Sequence, residues 1–415
     1  MRINNNIEKY ITEKGLCTGC GICTSLFDNE KIKIEMKKSG HYRPVFSKPL
    51  SKEERDRLMY LCPALNMNYE SYLEERFPRP LMGAALECRI GWSSSEEIRY
   101  KASSGGGVTS FLLFLLEQKK IDGVIHVGRK GNQFIAEGML STTADQIKSN
   151  MGSLYMPAPF LSNLKTLLDK VDKVAIVGKG CDIRAVRRFV ELNSEYKSKI
   201  VVCIGILCGG IPSIHGTYKI LEEFEMDPDT VDLFRYRGYG WPGYCTAVSQ
   251  NKEEKRMTYN EAWAKKLGPT SPLACKICFD GIADAADIVF GDAWKCENGN
   301  YPSFEETDGR NLIICKNEKS KALLEEAALL KYLVLTDEYI DNDLFKLIQP
   351  SQSNRRYLAK FKVIGLKILG FSYPYINWRF LNQISKSADV KLTMLQKIRA
   401  VGGSIKRAKL GKEEK

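Results

Sequence analysis

From about residue 84 to residue 340, short apolar runs alternate with longer stretches whose apolar residues recur every three or four positions. The short runs predict strands at Glu87–Trp92, Gly123–Gly128, Phe134–Leu140, Lys173–Val177, Ile200–Leu207, Asp287–Phe290 and Asn311–Lys316. The longer stretches predict helices at Gly107–Lys119, Leu161–Val171, Asp182–Leu192, Ser213–Phe224 and Lys316–Leu329. Strand and helix in regular alternation is the signature of an α/β domain. No internal repeat with a fixed period interrupts it.

The flanks read differently. Before residue 80, a strand at Lys31–Met36, a polar turn at Ser39-Gly40-His41 and a charged helix at Ser51–Tyr60 lead to Cys62. Phe77-Pro78-Arg79-Pro80 reads as a linker, because two prolines resist helix and sheet ladders alike. From Asp341 onward the rhythm is lost and the chain turns basic and aromatic, as in Arg355-Arg356-Tyr357 and Lys360-Phe361-Lys362. The expected organisation is therefore a small unit over 1–80, an α/β domain (with α+β mixing) over 81–340, and a basic helical extension over 341–415.

Composition narrows the class. A hydrophobic content of 44% with 27% charged residues describes an ordinary globular chain. The longest apolar run, Val108 to Leu116, is too short to span a bilayer, and Met1 to Asn6 carries no apolar signal-peptide core. Thirteen cysteines without an export signal predict a reducing cytoplasm, where thiolates serve metal sites. The net charge of +12 calls for an acidic partner: a ferredoxin, a phosphorylated substrate, an anionic membrane or nucleic acid. There is no helix-turn-helix or finger signature, so specific nucleic acid is not expected.

The cysteines carry the clearest chemistry. Cys17-Thr18-Gly19-Cys20-Gly21-Ile22-Cys23, completed by Cys62-Pro63, is the ligand spacing of a 4Fe–4S cluster. Three thiolates two residues apart wrap one tight turn, and Gly19 and Gly21 let backbone N–H groups approach the inorganic sulfides. A zinc knuckle is the rival reading, although zinc prefers paired C-x2-C units or histidines. Four more cysteines stand at strand–loop junctions: Cys181, Cys208, Cys275 and Cys278. They are expected to meet where parallel strands end and to hold a second 4Fe–4S cluster, with structural zinc or a redox dithiol as alternatives. Cys181, at a helix entrance, is expected to be a dipole-stabilised thiolate. Cys88, Cys203, Cys245, Cys296 and Cys315 lie mostly in apolar strands and read as buried thiols, and His126 reads as packed.

One further motif points to an anion or cofactor. Ala102-Ser103-Ser104-Gly105-Gly106-Gly107-Val108-Thr109-Ser110 runs directly into an apolar helix, placing hydroxyls and unhindered N–H groups at the positive end of its dipole. It has no Gly-Lys-Ser/Thr, so a P-loop is excluded. The loop fits a phosphate or flavin, or simply an ordinary Ser-capped helix.

Taken in order, these motifs resemble the beta-subunit family of coenzyme F420 hydrogenase/dehydrogenase, which also contains 7-hydroxymethyl chlorophyll a reductase. The match runs from about residue 14 to 316. Cys17–Cys23 with Cys62-Pro63 corresponds to the N-terminal cluster site, and Ser103-Ser104-Gly105-Gly106 to a flavin loop. Cys208-Gly209-Gly210-Ile211-Pro212-Ser213 resembles a Cys-His-Gly-x-Pro-Ser stretch. Arg235-Tyr236-Arg237 with Gly240-Trp241, and Cys275–Cys278 with Gly291-Asp292-Ala293-Trp294, resemble the later modules. The resemblance implies a ferredoxin-like iron–sulfur unit on a larger flavin-binding domain, with FAD held by Ser103, Ser104, Gly105, Gly106 and Thr109, and by Ser153 and Tyr155 more weakly. Two departures, Gly209 in place of His and Gly178-Lys179-Gly180 in place of a Gly-x-Pro turn, leave the substrate and the catalytic residues open.

The implied activity is a ferredoxin-dependent FAD reductase with two 4Fe–4S clusters, passing electrons from a one-electron carrier to an organic substrate. Surface-polysaccharide assembly is one setting for such a substrate. The alternatives are an electron-transfer subunit of a larger hydrogenase or dehydrogenase complex, and a redox- or iron-sensing binding protein. The extension, through Lys360 to Phe371, is read either as a helix resting on the inner face of a membrane near a lipid-linked substrate, or as a terminal helix docked on the core.

Overall fold

The computed structural model describes residues 7–8, 11, 15–27, 31–68, 81–296, 303–386 and 392–413. The expected linker at 77–80 and the first six residues lie outside them. The framework is an eight-stranded mixed sheet. Its strands are β3 (Glu87–Ser93), β4 (Gly123–Arg129), β5 (Ala136–Ser141), β6 (Val174–Lys179), β7 (Ile200–Ile206), β11 (Ile288–Asp292), β12 (Asn311–Cys315) and β13 (Leu333–Tyr339). They lie in the order β13-β3-β12-β11-β7-β6-β4-β5. The central β11-β7-β6-β4 run is parallel and its flanks are antiparallel.

Both faces of this sheet are covered, which the period-2 geometry of a strand makes visible. Val124, Ala175, Ile204, Phe290 and Ile313 point to the side occupied by Phe111, Leu112 and Leu115 of the Gly107–Glu117 helix and by Leu323 and Leu324 of the Glu318–Leu329 helix. Their neighbours Ile125, Ile176, Cys203, Val289 and Leu312 point to the other side, against Ile183, Val186 and Phe189 of the Gly180–Leu192 helix. All seven strands expected between residues 84 and 340 belong to this sheet, with ends shifted by a residue or two.

Phe134 is the informative exception. It leaves the ladder to pack against Tyr218 and Phe234, so β5 starts at Ala136. Two features escape the pattern altogether. Strand β13 pairs antiparallel with β3 at a sheet edge, where only Leu333 is buried, so no alternation marks it. A separate antiparallel sheet, β8 (Val231–Arg235), β9 (Tyr244–Ser249) and β10 (Glu254–Thr258), is hidden by the charged Glu254-Lys255-Arg256 segment.

The N-terminal unit holds an antiparallel hairpin, β1 (Ile32–Met36) and β2 (Tyr42–Phe46), and a helix, Lys52–Leu61. That helix starts with a Ser51/Glu54 capping box and ends at Cys62. The hairpin turn docks on the large domain: the Ser213 hydroxyl donates to the Ser39 carbonyl at 2.8 Å, and the Ile214 amide to the Gly40 carbonyl at 3.0 Å. The extension is helical at Asn342–Ile348, Pro350–Ile368, Trp378–Lys386 and Met394–Glu413. Tyr357, Ala359, Val363 and Leu366 are buried against protein, which favours the docked reading of this segment. Among the described residues no helix is long and apolar enough to cross a membrane.

Candidate functional site

The parallel strands β4, β6, β7 and β11 end together, and the loops beyond them, with the Leu273–Ile277 helix and the loop that leads into β11, build two adjoining pockets at the carboxyl ends of an open α/β sheet. The first has about 520 Å³ of empty space and is lined by Cys181, Cys208, Cys275 and Cys278, the four distant cysteines expected to meet. Backbone packing locks their loops together. The Cys208 amide donates to the Gly281 carbonyl at 2.8 Å. A Cβ on Gly180 would fall 2.4 Å from the Asp280 carbonyl oxygen, so only glycine lets the Cys181 and Cys278 loops approach this closely. Gly210, at φ +144°, packs on Ser271, where a Cβ would lie 2.7 Å from the hydroxyl oxygen.

Leu16, Thr18, Pro63, Ala64 and Met67 of the N-terminal unit line the same pocket from the far side. Behind them lies the first cysteine set, with Cys17, Cys20 and Cys62 buried and Cys23 half-buried. Gly19 and Gly21 take φ of +70° and +82°. In both sets a backbone amide is aimed at sulfur at 3.3 Å, Gly19 N–H on Cys17 and Asp280 N–H on Cys278. The Cys20 carbonyl accepts from the Leu161 amide at 2.7 Å, and Cys20 lies close enough to Cys181 that ionising both thiols is unfavourable.

Burial dominates the electrostatics of these thiols. It pushes Cys62 and Cys275 up to about 12, aided by neighbouring cysteines, and raises Cys208 and Cys278 against the pull of Arg355. Cys181 corrects the sequence-based expectation. Burial, then the Asp182 carboxylate, push its thiol well above the usual value, outweighing the helix dipole. Among the described residues, no three His, Cys, Asp or Glu side chains are grouped to hold one metal ion. The thiols of the second set instead surround a space. Cys88, Cys203, Cys245 and Cys315 are fully buried in the sheets, while Cys296 is half-buried and donates to the Leu347 carbonyl.

The second pocket has about 1550 Å³ of empty space, partly open to solvent. Ser103, Ser104, Gly106, Thr109, Ser153 and Tyr155 all line it. Gly105 does not; it packs on the backbone of Arg310 and Asn311, where a Cβ would lie 2.8 Å from the Arg310 Cα. Ser103 Oγ accepts from the Ser153 amide at 2.6 Å, joining two segments fifty residues apart. The Asn311 side chain accepts from the Gly107 amide at 2.8 Å, leaving the Val108 and Thr109 end of the helix facing the pocket. Lys179, Cys208, Gly210 and Ile211 line both pockets, so the two share a wall.

Sequence reading did not place Arg237, Asp292 and Trp263 in this wall. Arg237 and Asp292 form a two-pronged ion pair at 2.9 and 3.0 Å, and the Trp241 indole donates to Asp292 at 2.7 Å. Trp294 stacks on Trp241 with centroids 4.9 Å apart, and the Arg237 guanidinium lies 4.6 Å over Tyr259. Trp263 sits 4.9 Å from Tyr155 and covers Gly209, where a Cβ would come within 2.4 Å of its ring. The two motifs that carry this pair, Arg235–Arg237 and Gly291–Trp294, were legible; their contact was not. Lys179 is ion-paired with the buried Asp182. His126 also faces the pocket, but its Nε2 pairs with the Ser141 hydroxyl at 2.7 Å and burial lowers its pKa, which fits a packing role.

The chain is similar to known proteins. Residues 89–165 match the N-terminal model, and residues 171–339 the C-terminal model, of the coenzyme F420 hydrogenase/dehydrogenase beta subunit. Among curated proteins, coenzyme F420 hydrogenase subunit beta of Methanococcus voltae is 26% identical, over 66% of this chain and 95% of that one. The F420-dependent formate dehydrogenase subunit beta of Methanocaldococcus jannaschii is 28% identical, over 65% and 63% respectively. The coenzyme F420-dependent sulfite reductase of the same organism is 23% identical over 75% of this chain and 46% of its own length. A chain from the F420-reducing [NiFe] hydrogenase complex of Methanosarcina barkeri shares the fold, with a TM-score of 0.54 at 20% identity, over 72% of this chain and 98% of that one.

Proposed function

This chain belongs to the family of coenzyme F420 hydrogenase/dehydrogenase beta subunits, and on that premise we propose that it is an electron-transfer subunit of a larger oxidoreductase complex, linking two 4Fe–4S clusters to a flavin-type cofactor. The observation that carries this reading is the shared wall: the second cysteine pocket and the large pocket have Lys179, Cys208, Gly210 and Ile211 in common. A redox group in one would stand next to a redox group in the other.

The residues fit the groups. Cys17, Cys20, Cys23 and Cys62 would hold one cluster, and Cys181, Cys208, Cys275 and Cys278 the other, with amides already aimed at sulfur in each set. Ser103, Ser104, Gly106, Thr109, Ser153 and Tyr155 would hold FAD. When bound, the clusters supply one-electron transfer and the flavin supplies the exchange between one and two electrons. The chain's own work is to position and to exclude water. The Ser103–Ser153 bond fixes the loop that receives a phosphate at a helix N-terminus. The Arg237–Asp292 pair fixes its part of the wall of the large pocket, and Lys179, ion-paired with Asp182, stands between the pockets.

The relatives' names carry coenzyme F420, so a two-electron carrier of that kind is the partner proposed for the flavin, and a protein subunit the partner proposed for the cluster end. A ferredoxin donor and a surface-polysaccharide substrate have no counterpart in those names, and the subunit reading replaces them. Anaerobic purification tests it. About eight irons and one flavin per chain are expected, together with a protein partner that co-purifies. Zinc in place of iron, absence of flavin, or full turnover of a small substrate by the isolated chain would overturn it.

A further inference from the structure

The Pro350–Ile368 helix lies beyond the family match, which ends at residue 339, yet it closes the second cysteine pocket. Its first two turns make the contacts with the pocket. Gln349, the residue just before the helix, donates to the Asp292 carbonyl at 2.6 Å. Gln352 donates to the Cys208 carbonyl at 3.1 Å, and a Cβ on Gly281 would fall only 2.0 Å from its Oε1. Arg356 is fully buried and pairs with Asp284 at 2.7 Å, bolting the helix to the loop after Cys278. Between these anchors Arg355 reaches the pocket itself, donating to the Cys208 carbonyl at 2.8 Å and to the Gly209 carbonyl.

We infer that Arg355 is a positioning residue that raises the reduction potential of the second cluster by fixing a permanent positive charge beside Cys208, Cys275 and Cys278. The inference rests on the two-cluster reading above. Arg355 lines the pocket and acts electrostatically on all three of those cysteines, and on Lys276 and Lys362 nearby. A guanidinium never loses its charge in this setting, so its effect is independent of pH. Reduction adds a negative charge to a cluster. A cation clamped nearby in a water-poor pocket stabilises that reduced state, because net charge and burial set cluster potentials. The extension would thus make the second cluster the better electron acceptor, drawing electrons from the first set toward the large pocket.

Electron paramagnetic resonance during a redox titration of the whole anaerobic protein reads this directly. Arg355→Gln should keep about eight irons while one of the two clusters becomes harder to reduce. At fixed solution potential its reduced-to-oxidised ratio should fall roughly tenfold, about 59 mV for one electron. Arg355→Lys, which keeps the charge, should stay close to wild type. Lys362→Gln should shift the same cluster in the same direction. A purely structural role would lower the melting temperature in both Arg355 variants alike and leave both potentials unmoved, and that outcome overturns the inference. If Arg355→Gln loses iron, the Arg355→Met titration decides, and an unmoved potential there overturns it. Wild-type protein holding only one cluster, or Cys181→Ala keeping all its iron, would instead reject the two-cluster reading.

Discussion

Arg237 grips Asp292 through two hydrogen bonds of 2.9 and 3.0 Å, across fifty-five residues and at the end of β11. The arginine side chain is 2% exposed and also donates to the Pro242 carbonyl. The pair ties the loop after β8 to the sheet and forms part of the wall of the large pocket. Asp292→Ala strands a buried cation and should cost about 3–5 kcal/mol. The expected result is a large fall in melting temperature and, on the flavin proposed above, its loss. A variant of near-wild-type stability would mean that the pair contributes little.

The loop that opens the large pocket should be sensitive at two positions for different reasons. Gly106 has φ +72°, and a Cβ there would lie 2.9 Å from Ile98 Cγ2. Gly106→Ala should cost roughly 1–2 kcal/mol in backbone strain alone and weaken flavin binding about tenfold. Ser103→Ala removes only the acceptor for the Ser153 amide, about 1 kcal/mol, with a several-fold loss. Flavin absorbance retained after gel filtration checks the order, with Gly106→Ala the more severe.

The two cysteine sets should separate by mutation. On the two-cluster proposal, Cys181→Ala should halve the iron content, from about eight to about four per chain, and leave the first set's spectrum in place. Cys20→Ala should remove the other half and keep the flavin, since Cys20 lies outside the walls of the large pocket. Loss of flavin in Cys20→Ala would make the first set structural to the whole fold.

His41 gives a prediction in pH. Its ring lies in the hairpin turn against the Thr270 carbonyl, and burial, reinforced by Arg43, lowers its pKa to about 3. The unfolded chain takes up this proton near the ordinary value of about 6.5, while the folded chain stays neutral down to about 3. The unfolded state therefore binds more protons in that window, and stability falls as pH drops through it, by up to about 1.4 kcal/mol per unit. His41→Gln should flatten the stability curve between about pH 6 and pH 3. Equal acid slopes for variant and wild type, measured by denaturant unfolding, would remove His41 from the account.

Much of this was legible in one dimension. The strands of the parallel centre could be read because both faces are buried, so apolar residues run continuously through Val174–Val177 and Ile200–Ile204. Edge elements such as β13 and β10 were not, because a strand with one buried side chain carries no periodic signal. The first cysteine set is local: its spacing alone specifies a tight turn, and the positive φ of Gly19 and Gly21 follows from it. Ser103 to Thr109 was legible for the same reason, since a helix N-terminus is a local object.

The second cysteine set shows where sequence reading reaches its limit. Residue types marked Cys181, Cys208, Cys275 and Cys278, but their meeting depends on β6 and β7 ending side by side, on the short Leu273–Ile277 helix packing across those ends, and on Gly180 allowing a close approach to Asp280. Nothing short-range encodes that. The sequence by itself determined the α/β alternation, the first thiol turn and the loop chemistry, because each depends on neighbours within about a dozen residues. Only the tertiary structure decided that two pockets share the wall of Lys179, Cys208, Gly210 and Ile211, that Arg237 meets Asp292, and that a basic tail folds back over the second thiol pocket. Those are contacts between segments tens to hundreds of residues apart, set by packing of the whole sheet rather than by local preference.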